Sequence, residues 1–206
     1  AWAMNGEALR PEQGYPARLV VPGWEGNMWV KWIRRLEFGD KPYMTREETS
    51  KYTDLLRDGK ARMFTWVMEA KSVVTSPSPE KPILHKGIQQ LRGLAWSGKG
   101  KIKRVDVSLD GGKNWRTTQV HAPIMSKSLV RFTLPFEWSG EELLIQSRAI
   151  DETGYVQPYI QELQKIRGKN SIYHNNSIAT WLVSKSGRVD NVPVSYTHLR
   201  AHETGP

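Results

Sequence analysis

The stretch Ile102–Val120, IKRVDVSLDGGKNWRTTQV, decides the fold. From Arg104 to Leu109 polar and apolar residues alternate one by one. Successive side chains of a strand point to opposite faces, so this period of two predicts a strand with one buried face. Asp110-Gly111-Gly112 then supplies residues that accept a tight reversal, and Trp115 to Val120 runs back beside the first strand. Working outward, Leu91 to Trp96 reads as a strand and Ser97-Gly98-Lys99-Gly100 as its turn. Leu129 to Leu134 and Leu143 to Ile150 are two more, with Asp151 to Gly154 turning after the second. Short strands at this spacing, beginning near Gln89, predict a mainly β chain built on a β-sandwich of immunoglobulin-like size. Pro77, Pro79 and Pro82 mark a linker or a strand edge before it.

The first forty residues have a different texture and read as the end of another domain. Ala1 to Met4 runs into the turn Asn5-Gly6, and Arg10 to Pro16 is loop chemistry. Leu19 to Val21 and Trp29 to Phe38 are expected as strands. Thr45 to Arg57 has weak helical character, with Thr45 at the N-cap and Glu48 at the capping-box position. The final fourteen residues, Pro193 to Pro206 (PVSYTHLRAHETGP), follow neither pattern. They resemble a translated sequencing-adaptor read-through, the alternative being a natural disordered terminus, and His198 and His202 are set aside as metal ligands. The chain starts at Ala1 without a signal-peptide pattern, as a processed protein or a piece of a longer one would.

Composition narrows the chemistry. The chain has 206 residues, 38% of them hydrophobic, and nine Trp, enough for a substantial core. No run of 18 apolar residues is present, so no membrane span is expected. With no cysteine, this chain carries no disulfide, thiolate nucleophile or Cys-bound metal. The net charge of +9 suits anionic partners. The basic residues are scattered, however, and match no nucleic-acid-binding signature, so nucleic acid is not expected as a partner.

The densest local signal is Leu19–Leu36, LVVPGWEGNMWVKWIRRL. Glycines bare the backbone just before Lys31, which stands between Val30 and Trp32 with Trp29 close by. Two arrangements meet this pattern. Either the indoles pack a core and the lysine points to water, or the group holds a flat, polar, anionic ligand. Arg18 opens the preceding segment and Arg167 lies in Ile166-Arg167-Gly168, beyond the sandwich strands. An arginine fork matches an oxyanion in a way a lysine cannot, and the expectation is that Arg18, Lys31 and Arg167 converge on one anion pocket. His85, His121 and His174 lack metal-ligand spacing and are read as structural or exposed.

The ordered motifs resemble the C-terminal half of the sulfite oxidase family of molybdenum enzymes. They are Met4-Asn5-Gly6, Gly14 to Arg18, Val21 to Gly26, Val30-Lys31-Trp32, Gly93 to Gly98, Arg104 to Gly112 with Trp115, Val156-Gln157-Pro158 and Ile166-Arg167-Gly168. Asn27-Met28-Trp29, Met44 to Tyr52 and Asn170 to Asn176 are most similar to the SoxC-like, sulfane dehydrogenase branch. The resemblance implies the C-terminal remnant of a mixed α/β molybdopterin domain over residues 1–61. It also implies an immunoglobulin-like dimerisation domain over 62–192, and the tail over 193–206, which lacks the apolar pattern of the domain before it, is expected to be disordered. It assigns molybdenum-molybdopterin contacts to Gln13, Arg18, Trp29, Val30 and Lys31; some members have histidine where Gln13 stands. It gives Arg167 the substrate oxyanion and leaves the metal-ligating cysteine outside this chain, so the fragment alone is expected to be inactive. It further implies a sulfane or sulfite substrate, free or carrier-bound, a dihaem cytochrome c subunit, a homodimer or heterotetramer, and a periplasmic location.

Overall fold

A computed structural model describes residues 1–193, so all but the first residue of the expected tail lies outside the described range. The amino-terminal part contains little regular structure. Two short hairpins, β1 (Ala3–Met4) with β2 (Glu7–Ala8) and β3 (Asp54–Leu55) with β4 (Ala61–Arg62), bracket the helix α1 (Arg46–Ser50). The sandwich follows: β5 (Lys71–Ser76), β6 (Gly87–Trp96), β7 (Ile102–Ser108), β8 (Arg116–Thr117), β9 (Gln119–His121), β10 (Val130–Trp138) and β11 (Leu143–Asp151). Helix α2 (Ile160–Arg167) then leads to β12 (Thr180–Val183) and β13 (Val189–Val192).

The strands form a four-stranded sheet, β5-β6-β10-β9, and a five-stranded sheet, β13-β12-β11-β7-β8. The ladder from Val130↔Ala95 to Trp138↔Gly87 is the backbone of the first. In β10, Val130, Phe132, Leu134, Phe136 and Trp138 are buried, while Arg131, Pro135 and Glu137 between them are exposed. They share one core with Leu91 and Ala95 from β6 and with Val105, Val107, Ile145, Ala149, Val183 and Val189 from the other sheet. Gly93 lies opposite Phe132, where a Cβ would come within 2.1 Å of the ring, so the aromatic covers the position a side chain would fill.

Several strand expectations change in extent. The strands expected at Leu91–Trp96 and Leu129–Leu134 belong to longer ones, and β5 went unnoticed because it sits just before the proline cluster. The returning segment Trp115–Val120 divides between sheets: β8 pairs with β7, and β9 pairs with β10. Thr118, between them, is pinned to the Val105 carbonyl through both its amide and its hydroxyl.

The amino-terminal expectations need correction. Leu19–Val21 and Trp29–Phe38 are not strands. Two backbone hydrogen bonds, Leu19 N–H to Val30 O and Ile33 N–H to Ala17 O, join the segments. Pro22, the 3₁₀ turn Gly26–Met28 and Trp32 at φ +52° break the register a ladder needs. The helix expected over Thr45–Arg57 stops at Ser50, and Thr45 makes no side-chain cap. Asp54 and Leu55 pair with β4 instead.

Backbone contact locks this irregular part to the sandwich. Met68 N–H donates to Gly23 O and Gly98 N–H donates to Met68 O. A Cβ on Gly98 would stand 2.0 Å from Gly23 O and 2.7 Å from Met68 O. We expect Gly98→Ala to destabilise the fold by about 1–3 kcal/mol, the usual cost of overpacking. Gly26→Ala has open space around its Cβ position and should change stability by less than about 0.5 kcal/mol. Chemical unfolding midpoints of the two variants check this.

Candidate functional site

The cofactor-contact candidates form one cluster. Pro11–Gln13 makes a 3₁₀ turn ended by Gly14 at φ +110°. A side chain at Gly14 would meet the Cβ atoms of Arg18 and Lys31, both 3.1 Å away, so glycine lets these two cations flank the turn. Arg18 donates from Nη1 to Gln13 O and from Nη2 to Trp29 O, each at 3.2 Å. Lys31 Nζ donates to Glu12 O at 2.8 Å and lies 4.5 Å from the centre of the Trp32 ring. Trp32 and Val30 are both more than half exposed, so Trp32 is not the core residue that one reading of the sequence allowed. Among the described residues, Arg18 Nε and Asn27 Nδ2 are buried donors without a partner.

Arg167 stands in a second cluster. Its side chain is 1% exposed. Nη1 donates to Thr65 Oγ1 at 2.6 Å and to Asp54 Oδ2 at 3.4 Å, and Nη2 donates to Glu69 Oε2 at 3.4 Å. Glu69 Oε2 also accepts from Tyr155 O–H at 3.0 Å and lies 3.2 Å from His174 Nε2. Lys99 approaches Oε1 at 3.7 Å. On its other side His174 Nδ1 is 2.6 Å from Glu25 Oε1. A cavity of about 120 Å³ opens against this group, lined by Glu25, Asn27, Tyr52, Asp54, Tyr173 and His174 among others. Burial pushes the Glu69 carboxyl up, but the His174 hydrogen bond and the Arg167 charge outweigh it and hold the carboxyl at about 2. Burial pushes the Tyr155 phenol up to about 12, so it remains a donor.

Of the three cations expected on one anion pocket, Arg18 and Lys31 share the first cluster and Arg167 stands in the second. Gln13, Arg18, Trp29, Val30 and Lys31 come together, but among the described residues no hydrogen bond or ion pair joins Arg167 to them. A buried guanidinium needs compensating charge close by, and Arg167 has it in Asp54 and Glu69. The loop at residues 24–29 borders both clusters: Glu25 and Asn27 face the cavity, and the Trp29 carbonyl holds Arg18. His174, read from the sequence as structural or exposed, is nine-tenths buried and lies at the centre of the second cluster. Glu25, Asp54 and Glu69 were not singled out, since their spacing says nothing of a common site. The sequence signal was the motif likeness carried by Val21–Gly26 and Asn170–Asn176.

A family model described as the Mo-co oxidoreductase dimerisation domain matches residues 62–181, and one described as the oxidoreductase molybdopterin binding domain matches residues 1–47. The solved structure of the sulfane dehydrogenase SoxCD from Paracoccus pantotrophus is similar, with 64% sequence identity and a TM-score of 0.89. The match covers 93% of this chain and 49% of that one. Sulfite oxidase of Gallus gallus is 33% identical over 172 residues, covering 77% of this chain and 37% of that protein. NADH nitrate reductase 2 of Nicotiana tabacum is 31% identical over 191 residues, covering 77% and 20%. The chain therefore spans half the length, or less, of these relatives.

Glu69→Gln should expose what the Arg167 cluster contributes. Breaking a buried pair costs about 3–5 kcal/mol, and the lower end applies because Asp54 remains. The folded-state pKa of Glu69, about 2, lies below its ordinary 4.5, so the carboxylate's contribution is present above 4.5 and is lost as pH falls through 2. Unfolding free energies of the parent and variant should differ most at neutral pH and draw together across that window.

Proposed function

We propose, for a chain that belongs to the Mo-co oxidoreductase dimerisation domain family, that the full-length protein is a molybdopterin-dependent oxidoreductase of sulfur compounds, a sulfane dehydrogenase of SoxC type. Residues 1–61 would complete the molybdopterin domain and 62–192 would be the dimerisation domain. The match of a molybdopterin-binding model to residues 1–47 argues against a β-sandwich module without catalytic function.

The donor set suits the cofactor. A pterin offers polar ring edges and a phosphate, and Arg18 and Asn27 each hold a buried donor that no described residue satisfies, beside the Gln13–Lys31 cluster. In this reading Gln13, Arg18, Trp29, Val30 and Lys31 hold the group through backbone and side-chain contacts. The bound molybdenum cofactor supplies two-electron oxidation at sulfur with oxygen drawn from water. In this reading Arg167 acts on the substrate from behind the wall that its partners Thr65 and Asp54 form, and Tyr52, Tyr173 and Asn27 shape the approach. The thiolate for the metal would come from the part of the protein outside this chain.

The observation that carries the substrate assignment is the pairing of Arg167 with two carboxylates. Its charge is largely offset by Asp54 and Glu69 where a free sulfite dianion would need it. A sulfane sulfur carried on a thiol brings less charge and fits better. A dihaem cytochrome c subunit is the proposed electron acceptor, in a homodimer or heterotetramer, with the periplasm as the location that goes with it.

The full-length enzyme should oxidise a thiol-bound sulfane sulfur with kcat/KM at least about tenfold above that for free sulfite, a difference of about 1.4 kcal/mol. A preference for sulfite would turn the assignment to a sulfite dehydrogenase of the same family. Arg18→Ala in the full-length enzyme removes a charge-assisted contact of about 1.5–3 kcal/mol and should lower pterin affinity about 10- to 150-fold. Fluorescence of oxidised pterin released from the purified protein reads this without an activity assay.

A further inference from the structure

His174 joins three parts of the chain that sequence leaves far apart. Glu25 follows the Pro22-Gly23 turn, Glu69 precedes β5, and His174 itself lies in the loop after α2, the helix whose last residue is Arg167. The side chain of His174 is nine-tenths buried. Both of its ring nitrogens lie within hydrogen-bond distance of a carboxylate oxygen, Nδ1 of Glu25 and Nε2 of Glu69. A neutral imidazole has one donor and one acceptor nitrogen, so it would set a lone pair against one of these carboxylates. The imidazolium donates to both.

We propose that His174, held as an imidazolium between Glu25 and Glu69, is a positioning residue for Arg167. It ties the cofactor-side loop at residues 24–29 to the carboxylate that orients the guanidinium, and release of its proton to solvent unties them. The proposal rests on the reading that Arg167 faces the substrate. Arg167 opposes the imidazolium from α2, and Asp54 balances Arg167 from β3. Lys99 and Tyr155 share Glu69. Lys71 faces an adjoining cavity from β5 and donates to the Asn175 carbonyl, while Tyr52 and Tyr173 line the first cavity. Burial lowers the His174 pKa, but the hydrogen bonds to Glu25 and Glu69 outweigh it and raise the value above the ordinary 6.5. The bridge is therefore intact on the acidic side and is lost as pH rises through the raised pKa.

The test uses the full-length enzyme, with free sulfite and an alkyl persulfide as substrates in turn. In the parent enzyme KM should rise about tenfold across one alkaline step while kcat changes by less than about twofold, as when one charge-assisted contact is lost from binding. His174→Gln should show the raised KM at every pH and no step. Deuterium exchange of residues 22–30, corrected for the intrinsic rate, should be about tenfold faster in that variant below the step and equal to the parent above it. Glu25→Gln keeps the shape of the bridge while removing a charge, and should move the step to lower pH. Parent-like KM, pH profile and exchange in His174→Gln, or an unmoved step in Glu25→Gln, overturns the proposal. If Arg167→Met leaves KM unchanged for both substrates while His174→Gln still loosens residues 22–30, the tie stands. The failure then belongs to the reading of Arg167 as substrate-facing, and the positioning role falls with it.

Discussion

A guanidinium with almost no exposed surface cannot be left without counter-charge, and the arrangement around Arg167 follows from that constraint. The charge ends an amphipathic helix, so the helix must seat where carboxylates are available. Asp54 comes from a two-residue strand, Thr65 from the segment after β4, and Glu69 from just before the sandwich. None of these segments has enough regular structure of its own to hold a fixed position. Gly168 fits against them closely, where a Cβ would stand 2.3 Å from the Leu55 carbonyl. The irregular amino-terminal part is thus ordered by the sandwich, through one buried charge and through the Gly23–Met68–Gly98 backbone contacts.

The same economy shapes the two clusters. One uses backbone carbonyls to hold exposed or half-buried cations, leaving polar edges free for a ligand. The other uses carboxylates to neutralise a buried cation, which leaves little charge for a small dianion. The loop at residues 24–29 touches both, and Trp24 stacked on Trp66 at 5.2 Å anchors it. The geometries of the two clusters are therefore coupled through a segment of six residues.

The sandwich was legible because its signals are local. Alternation from Arg104 to Leu109 and the Asp110-Gly111-Gly112 turn depend on neighbours in sequence, and the observed register follows them. The irregular part was not, because Trp29–Phe38 has strand composition without a strand partner, and composition cannot show whether a partner exists. The grouping of Gln13, Arg18, Trp29, Val30 and Lys31 was legible through motif likeness, whereas the acid-lined cavity was not. A lone histidine or glutamate reads as surface or structure until the fold brings Glu25, Glu69 and His174 within hydrogen-bond reach. Arg167 was visible as a residue but not in its pairing, because its partners lie about a hundred positions away.

The crossover at Thr118 reaches beyond topology. By dividing one returning segment between two sheets, it ends the first sheet on a strand of three residues and the second on a strand of two. An exposed edge recruits foreign strands in proportion to its length and flatness, and edges this short offer a poor template. The hydroxyl and amide that fix Thr118 to Val105 thus also guard this side of the sandwich against edge-to-edge aggregation.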